Sequence, residues 1–489
     1  MTEATNLLII CSDEHDPRYM GVSRHPFIQT PNLDRLASLG TRFSNAWTPS
    51  PICVPARASL ATGRYVHATG YWDNAMGYDG RIPAWGNRLQ EASMRVESIG
   101  KLHYKNDGLP TGFDRQQEPM HIHDGVGLIW GSVRDPMPES AGPSPLFSEL
   151  GPGESSYNRY DQRIVELGTQ WLKERATSPD AKPWTLFLGL VAPHMPLVVP
   201  QKYLDLYPLD EIQLPKLLPQ DGFHRHPWVD RLALHWNHDA ALGTNERRKL
   251  AIACYFGLIT FLDERIGVLL DVLEVTGLIN NTRIIYTADH GDNLGSRGLW
   301  NKCTMYREST GIPMIIAGPG IPSGKTCSTN VSLLDIYPTV IDCVGLEQTE
   351  EESDLPGASL FDIASKPDDP ERIGFSEYHA VGAVSGAFML SHGKYKLHYY
   401  VGFDSELFDL HSDPEELCDL AKDQRYQGVL ADMKKRLLEI VDPERIDREA
   451  KRDQNDLVQR FGGPIAVRSM GNQGATPTPE KFIAQEERS

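Results

Sequence analysis

The five residues Cys53-Val54-Pro55-Ala56-Arg57 carry the most chemistry for their length. Pro55 suits the first turn of a helix running to about Thr62, with Gly63 as its stop. Cys53 then sits at a helix N-terminus, where positive potential favours a bound anion or a developing alkoxide. Arg57 lies one turn later on the same side, placed to hold a tetrahedral oxyanion through its fork of donors. A buried structural thiol beside a surface arginine is the competing account. A second group is acidic: Asp13, Glu14 and the run Asp289-His290-Gly291-Asp292. If the fold pushes Asp13 and Asp289 together, they need a cation or a proton to coexist. Oxygen donors suit calcium, magnesium or manganese, and one imidazole moves the balance toward manganese. Taken singly, Asp13 could cap a loop and Asp289–Asp292 could be a tight turn.

These residues need elements to bring them together. Leu7–Cys11, Met94–Ile99, Trp184–Val191 and Arg283–Thr287 are short apolar runs that read as buried strands. Between them lie helical patterns: Pro31–Leu39, with Thr30 as a cap and Gly40 as a stop, and a long helix over about Glu246–Val275. Strands alternating with helices predict an α/β domain on a mainly parallel sheet. Ligands of such a sheet bind beyond the carboxyl ends of its strands. Asp13 and Glu14, Lys101 and His103, His194, and Asp289 with His290 and Asp292 each follow one of the four runs. Four polar endings on one edge are hard to explain as solvent-facing loops.

The remaining organisation follows from composition. Residues 135–153 and 353–372 are rich in proline, glycine and polar groups, and read as a surface loop or lid and as a domain joint. Beyond the joint, Ala387–Leu390 and Lys394–Tyr399 resemble hairpin strands, followed by a helix near Gly428–Ile440. This predicts a catalytic α/β domain over residues 1–370 and a smaller subdomain built on a short antiparallel sheet over 371–460. An extended tail, 461–489, would be ordered only if docked. Charged residues make up 23% of the 489, with 66 acidic against 48 basic, a net charge of −18 that disfavours nucleic acid as a partner. The polar start and the shortness of Leu7–Cys11 point away from a signal peptide or membrane span, and the seven cysteines show no CxxC pair or regular spacing. Both features predict a cytoplasmic protein, with most of the cysteines serving as small buried hydrophobes.

Extended along the chain, the motifs become recognisable. Cys53-Val54-Pro55-Ala56-Arg57-Ala58-Ser59-Leu60-Ala61-Thr62-Gly63-Arg64 resembles the signature of the type I sulfatases, whose cysteine is oxidised after synthesis to formylglycine. Thr30–Ala37 resembles the family's first helix and Gly100-Lys101-Leu102-His103 its second signature. Asp289–Gly295 with Gly298-Leu299-Trp300-Asn301-Lys302 resembles its metal-and-lysine segment. Leu407–Leu410 with Asp413, Pro414 and Glu416 resembles its C-terminal strand and turn. The resemblance implies the alkaline-phosphatase-like fold and one divalent cation, calcium first, bound by Asp13, Glu14, Asp289, His290 and the modified Cys53. It implies that Arg57, Lys101 and Lys302 neutralise the sulfuryl oxygens. His194 and Lys302 are its candidates to protonate the departing alcohol, and His103 its base for the second hydroxyl of the hydrated aldehyde. The partners implied are a small-molecule sulfate ester and a formylglycine-generating system.

Some positions depart from relatives. Glu14 stands where many have Asp or Gln, and His290 replaces the Asn of the lysosomal arylsulfatases. Tyr71–Ala75 and the setting of Trp300 lean toward choline sulfatases, and Trp130 could stack on a quaternary ammonium or simply pack. Two rivals stand beside sulfate hydrolysis: cleavage of phosphonate monoesters or phosphodiesters by the same nucleophile, and a catalytically dead metal-binding scaffold. A tail lying against a second copy would make the protein a homo-oligomer.

Overall fold

The four apolar runs become neighbouring strands of one sheet. The computed structural model describes residues 4–141, 146–471 and 475–479. Its large sheet holds β1 (Asn6–Asp13), β2 (Gly40–Phe43), β3 (Val96–Lys101), β4 (Arg115–Met120), β5 (Thr185–Pro193), β6 (Thr282–Ala288), β7 (Met314–Ala317) and β8 (Lys325–Cys327). They lie in the order β8-β2-β7-β6-β1-β5-β3-β4, and only the pairs made by β7 are antiparallel. The central strands β6, β1, β5 and β3 are parallel and in register, with Ile9 opposite both Ile285 and Phe187, and Ile99 opposite Leu188.

Both faces of the sheet are covered, which is why these runs are continuously apolar rather than alternating. Leu8 and Ile10 join one core, while Leu7, Ile9 and Cys11 join the other. Helix α1 (Pro31–Leu39) packs on the first face. Thr30 does not cap it. Its hydroxyl accepts from Gly21 N, and the Asp263 carboxylate takes the Asn32 and Leu33 N–H groups instead. Helix α2 (Cys53–Thr62) lies on the second face, buried at every residue, and ends at Gly63 with φ +66°. Helices α3 (Ser156–Thr177) and α4 (Asn245–Val275) cross the first face.

The strands β9 (Gly374–Tyr378), β10 (Ala387–His392), β11 (Tyr395–Tyr400) and β12 (Glu406–Asp409) form an antiparallel sheet, followed by α5 (Gln427–Ile440), α6 (Pro443–Arg460) and α7 (Gly463–Ser469). Helix α7 lies inside the segment expected to be extended, and residues 472–474 and 480–489 of that segment lie outside the described residues. Residues 142–145 of the expected surface loop also lie outside them. The stretch read as a joint contains a helix, Leu360–Ser365, whose Leu360 and Ala364 are fully buried in the second core. No described helix is long and apolar enough to cross a membrane.

Candidate active site

The carboxyl ends of β1, β3, β5 and β6 deliver Asp13, Lys101, His194 and Asp289 to one place. The delivery depends on a close approach between β3 and β5. A Cβ on Gly189 would stand 1.9 Å from the Lys101 carbonyl oxygen, and Gly100 has φ +93° with equally little room. Only glycine at both positions lets β3 bend and aim Lys101 inward. Glu14 (φ 69°), His103 (φ 58°), Asn301 (φ 67°) and Cys303 (φ 81°) are non-glycine residues in the left-handed region, all in the loops bearing the site. Such strain persists where surrounding structure enforces it, and it concentrates at functional sites.

Cys53 is the first residue of α2, and Val54 N donates to Asn74 Oδ1 at 3.2 Å, which satisfies one of the helix's free N–H groups. The Cys53 Sγ lies 3.2 Å from His290 Nε2, 3.2 Å from Lys302 Nζ and 3.7 Å from Asp13 Oδ1. Burial first, and the Asp13 carboxylate next, push this thiol up to about 11, so as a plain thiol it is not ionised at neutral pH. Of the seven free cysteines, six are buried and Cys418 is exposed.

Asp13, Cys53, Asp289 and His290 present ligand atoms within 4.8 Å of one another, all buried. His290 Nδ1 donates to Gly291 O at 3.0 Å, which leaves the Nε2 lone pair turned toward the cluster. Glu14 groups with Asp13 and His194 rather than with Cys53, its Oε2 lying 3.6 Å from His194 Nε2 and 3.4 Å from Lys302 Nζ. Burial raises the Glu14 carboxyl well above its usual range, and its Oε1 is buried without a partner among the described residues. A buried acid with an unsatisfied oxygen, beside two further carboxylates and a bare imidazole nitrogen, is a donor set that fits a divalent cation. Burial would also raise Asp13, but Lys101 at 2.6 Å, with His194, Lys302 and Arg57, holds it well below the carboxylate range.

Arg57 departs from the expected oxyanion hold. Its Nε donates to Asp289 Oδ2 at 2.7 Å, Nη2 to Asp13 Oδ2 at 3.1 Å and Nη1 to the Lys101 carbonyl at 2.9 Å. The guanidinium is therefore turned to the carboxylates and is absent from the cavity wall. The cations that face the cavity are Lys101 and Lys302. Burial would lower Lys302, but its acidic neighbours hold it well above the usual lysine range. Asp292 takes the Leu294 and Asn301 N–H groups at 2.6 and 3.1 Å, a turn and not a ligand arrangement.

The cavity over Cys53 has a volume of about 80 Å³, and His103 and His194 line it with the two lysines. The rest of its wall is mostly apolar and aromatic, made by Leu128, Leu146, Met195, Trp236, Trp300 and Val381, with Asn74, His238 and Asn301 among them. Trp130 is not in that wall. It is buried edge-on against Trp236, with ring centroids 5.7 Å apart, so packing is its role. Sequence reasoning missed Trp236, Asn74, Tyr157 and Thr476. Asn74 lay in a segment already singled out, and Ser155 before the apolar spacing of Ile164, Trp171 and Leu172 would have marked the helix that carries Tyr157.

Comparison with known proteins agrees with this geometry. Residues 5–346 match the family model Sulfatase, and residues 295–442 match N-sulphoglucosamine sulphohydrolase, C-terminal. The choline-sulfatase of Rhizobium meliloti is 31% identical over 445 residues, covering 87% of this chain and 84% of that protein. The arylsulfatase K of Homo sapiens is 28% identical over 452 residues, covering 86% and 79%. Among solved structures, the phosphonate monoester hydrolase of Agrobacterium radiobacter superposes with a TM-score of 0.71 at 21% identity, covering 89% of this chain and 95% of that one, a likeness of fold. By family model, by relatives and by its mainly parallel alkaline-phosphatase-like sheet, the chain belongs to the sulfatase family of sulfuric ester hydrolases.

Proposed function

We propose that the chain hydrolyses the sulfate monoester of a compact, carbon-rich alcohol, with residue 53 acting as formylglycine beside one divalent cation. The observation that carries this reading is the position of Cys53. Its Sγ is within 4 Å of His290, Lys302 and Asp13, so the side chain of residue 53 and the cation donors share one point. Asp13, Asp289 and His290, with Glu14 at their margin, would hold a divalent cation, which would supply positive charge and lower the pKa of a neighbouring hydroxyl. The hydrated aldehyde supplies an attacking oxygen and, unlike serine, a second hydroxyl whose proton can be removed to free sulfate.

The chain's own groups do the rest. Lys101 and Lys302 neutralise the sulfuryl oxygens, and Arg57 holds the Asp13 and Asp289 carboxylates in place. His194 donates through Nδ1 to Met195 O at 2.6 Å, which leaves Nε2 facing the acidic side of the site. Lys302 stands as proton donor to the departing alcohol, with His194 a second donor only when its Nε2 is also protonated, and His103 as the acceptor from the second hydroxyl. Among the described residues the cavity lining holds no carboxylate and is mostly apolar, with Trp236, Trp300, Leu128 and Val381 outweighing Asn74, His238 and Asn301, which favours a phenol or a quaternary ammonium alcohol over a sugar. The name of the Rhizobium relative points the same way. Turnover of 4-nitrophenyl sulfate, choline sulfate and a monosaccharide sulfate, each beside 4-nitrophenyl phenylphosphonate, tests the reading. Sulfates of the first two kinds should have the highest kcat/KM. Preference for the phosphonate by orders of magnitude would overturn it.

A further inference from the structure

The described end of the tail occupies the site. Ala475 and Thr476 line the cavity with His103 and His194, although some 370 residues of sequence separate Thr476 from His103. Thr476 Oγ1 is 2.8 Å from His103 Nε2. The Thr476 carbonyl accepts from the Tyr157 hydroxyl, on α3, and Thr478 just beyond is buried. Tyr157 in turn packs edge-on against His194, with centroids 6.0 Å apart and planes at 62°. One strap of chain thus reaches both imidazoles of the proposed reaction, His103 directly and His194 through Tyr157.

Among the described residues, Thr476 is the hydrogen-bond partner of the His103 ring, whose Nδ1 is buried with none. A neutral imidazole has one N–H and one lone pair, and a hydroxyl can donate or accept. A threonine at Nε2 therefore stays bonded whether the ring is neutral or protonated. A carboxylate there would favour the charged ring. With Nε2 taken, Nδ1 is the nitrogen left to exchange a proton.

We infer that Thr476 is a positioning residue that fixes the His103 ring, so that the C-terminal tail is part of the catalytic apparatus. The inference rests on the proposed role of His103 in the second half of the reaction. The test uses the full chain with 4-nitrophenyl sulfate, comparing Thr476→Val, Thr476→Ala and Thr476→Ser with wild type, and thermal melting checks that each is folded. Losing the hydroxyl should lower kcat roughly 10- to 100-fold with little change in KM. Serine should restore kcat. Because His103 acts after the alcohol has left, the valine and alanine variants should also show a stoichiometric burst of nitrophenol before the slow steady state. Wild-type kcat in Thr476→Val, equal loss in Thr476→Ser, or loss without a burst would each overturn the inference. His103→Ala separates the two readings. If it is inactive while Thr476→Val is unaffected, only the role of Thr476 fails; if it is fully active, the proposed role of His103 fails first.

Discussion

Lys302→Met removes one charge from the site and little volume, and the structure predicts the size of the loss. Lys302 Nζ lies 3.2 Å from the Cys53 Sγ, so a group bonded to residue 53 comes within about 4 Å of the ammonium. At that distance a charge pair near a protein surface is worth about 4 kcal/mol gross at an effective dielectric constant of 20. Removing one preorganised donor to a developing charge typically costs about 2.7–4 kcal/mol, or roughly 10²–10³ in kcat. That loss should appear with any ester. If Lys302 also protonates the departing alcohol, an alkyl ester needs the proton far more than a nitrophenyl ester does. Its further loss should then approach the roughly 10²–10⁴ of general acid catalysis. The assay is kcat for 4-nitrophenyl sulfate and for choline sulfate, in wild type and variant. An equal drop on both leaves protonation to His194. A variant within a few-fold of wild type on both would refute the reasoning, because a buried cation beside the nucleophile would then contribute nothing to the reaction.

Other consequences are as direct. Arg57→Lys keeps a charge but cannot span both carboxylates; it should weaken cation affinity roughly 10- to 100-fold, read by titration of chelator-stripped protein against melting temperature. In the same titration, wild type should gain about 2.7 kcal/mol of stability when free calcium or manganese reaches 100 times its Kd, and melting insensitive to either ion contradicts the donor set. Glu377 is fully buried between His67 at 2.8 Å and His379 at 3.0 Å. Burial alone would raise its carboxyl, but the imidazoles lower it from 4.5 to about 2. A depressed acid contributes stability above its unfolded value and loses it as pH falls through the folded one, on the order of 3 kcal/mol between pH 4.5 and 2. Urea unfolding of wild type should therefore weaken more steeply over that window than that of Glu377→Gln, and parallel slopes would contradict the assignment.

The readable parts of this chain are those where a local pattern and a tertiary role coincide. Asp13, His194 and Asp289 stand out because each ends an apolar run buried on both faces, where a polar residue must have a purpose. Lys101 and His103 stand out for the same reason, although β3 runs on through Gly100 to Lys101, which a window of apolar residues does not register. The destination of Arg57 is less legible. The turn of helix shows that it shares a side with Cys53, but only the packed structure shows its fork committed to Asp13 and Asp289. Helix α6 hides its stripe, Ile446, Ala450, Gln454 and Val458, among charged residues. Thr476 has no signal at all, since a segment without periodicity docks by contacts with residues hundreds of positions away. The cavity wall is illegible for a related reason: Leu128, Trp236, Trp300 and Val381 come from four separate loops and helix ends.

The central claim is that residue 53 works as an aldehyde hydrate and not as a thiol. Expression of the full chain with a formylglycine-generating system, followed by mass spectrometry of the peptide that holds residue 53, measures this directly when set beside turnover of the same preparation. The expected result is an aldehyde mass at residue 53, hydrazide capture of the active fraction, and activity proportional to the fraction converted. Full activity in protein whose residue 53 is wholly unmodified cysteine would contradict it.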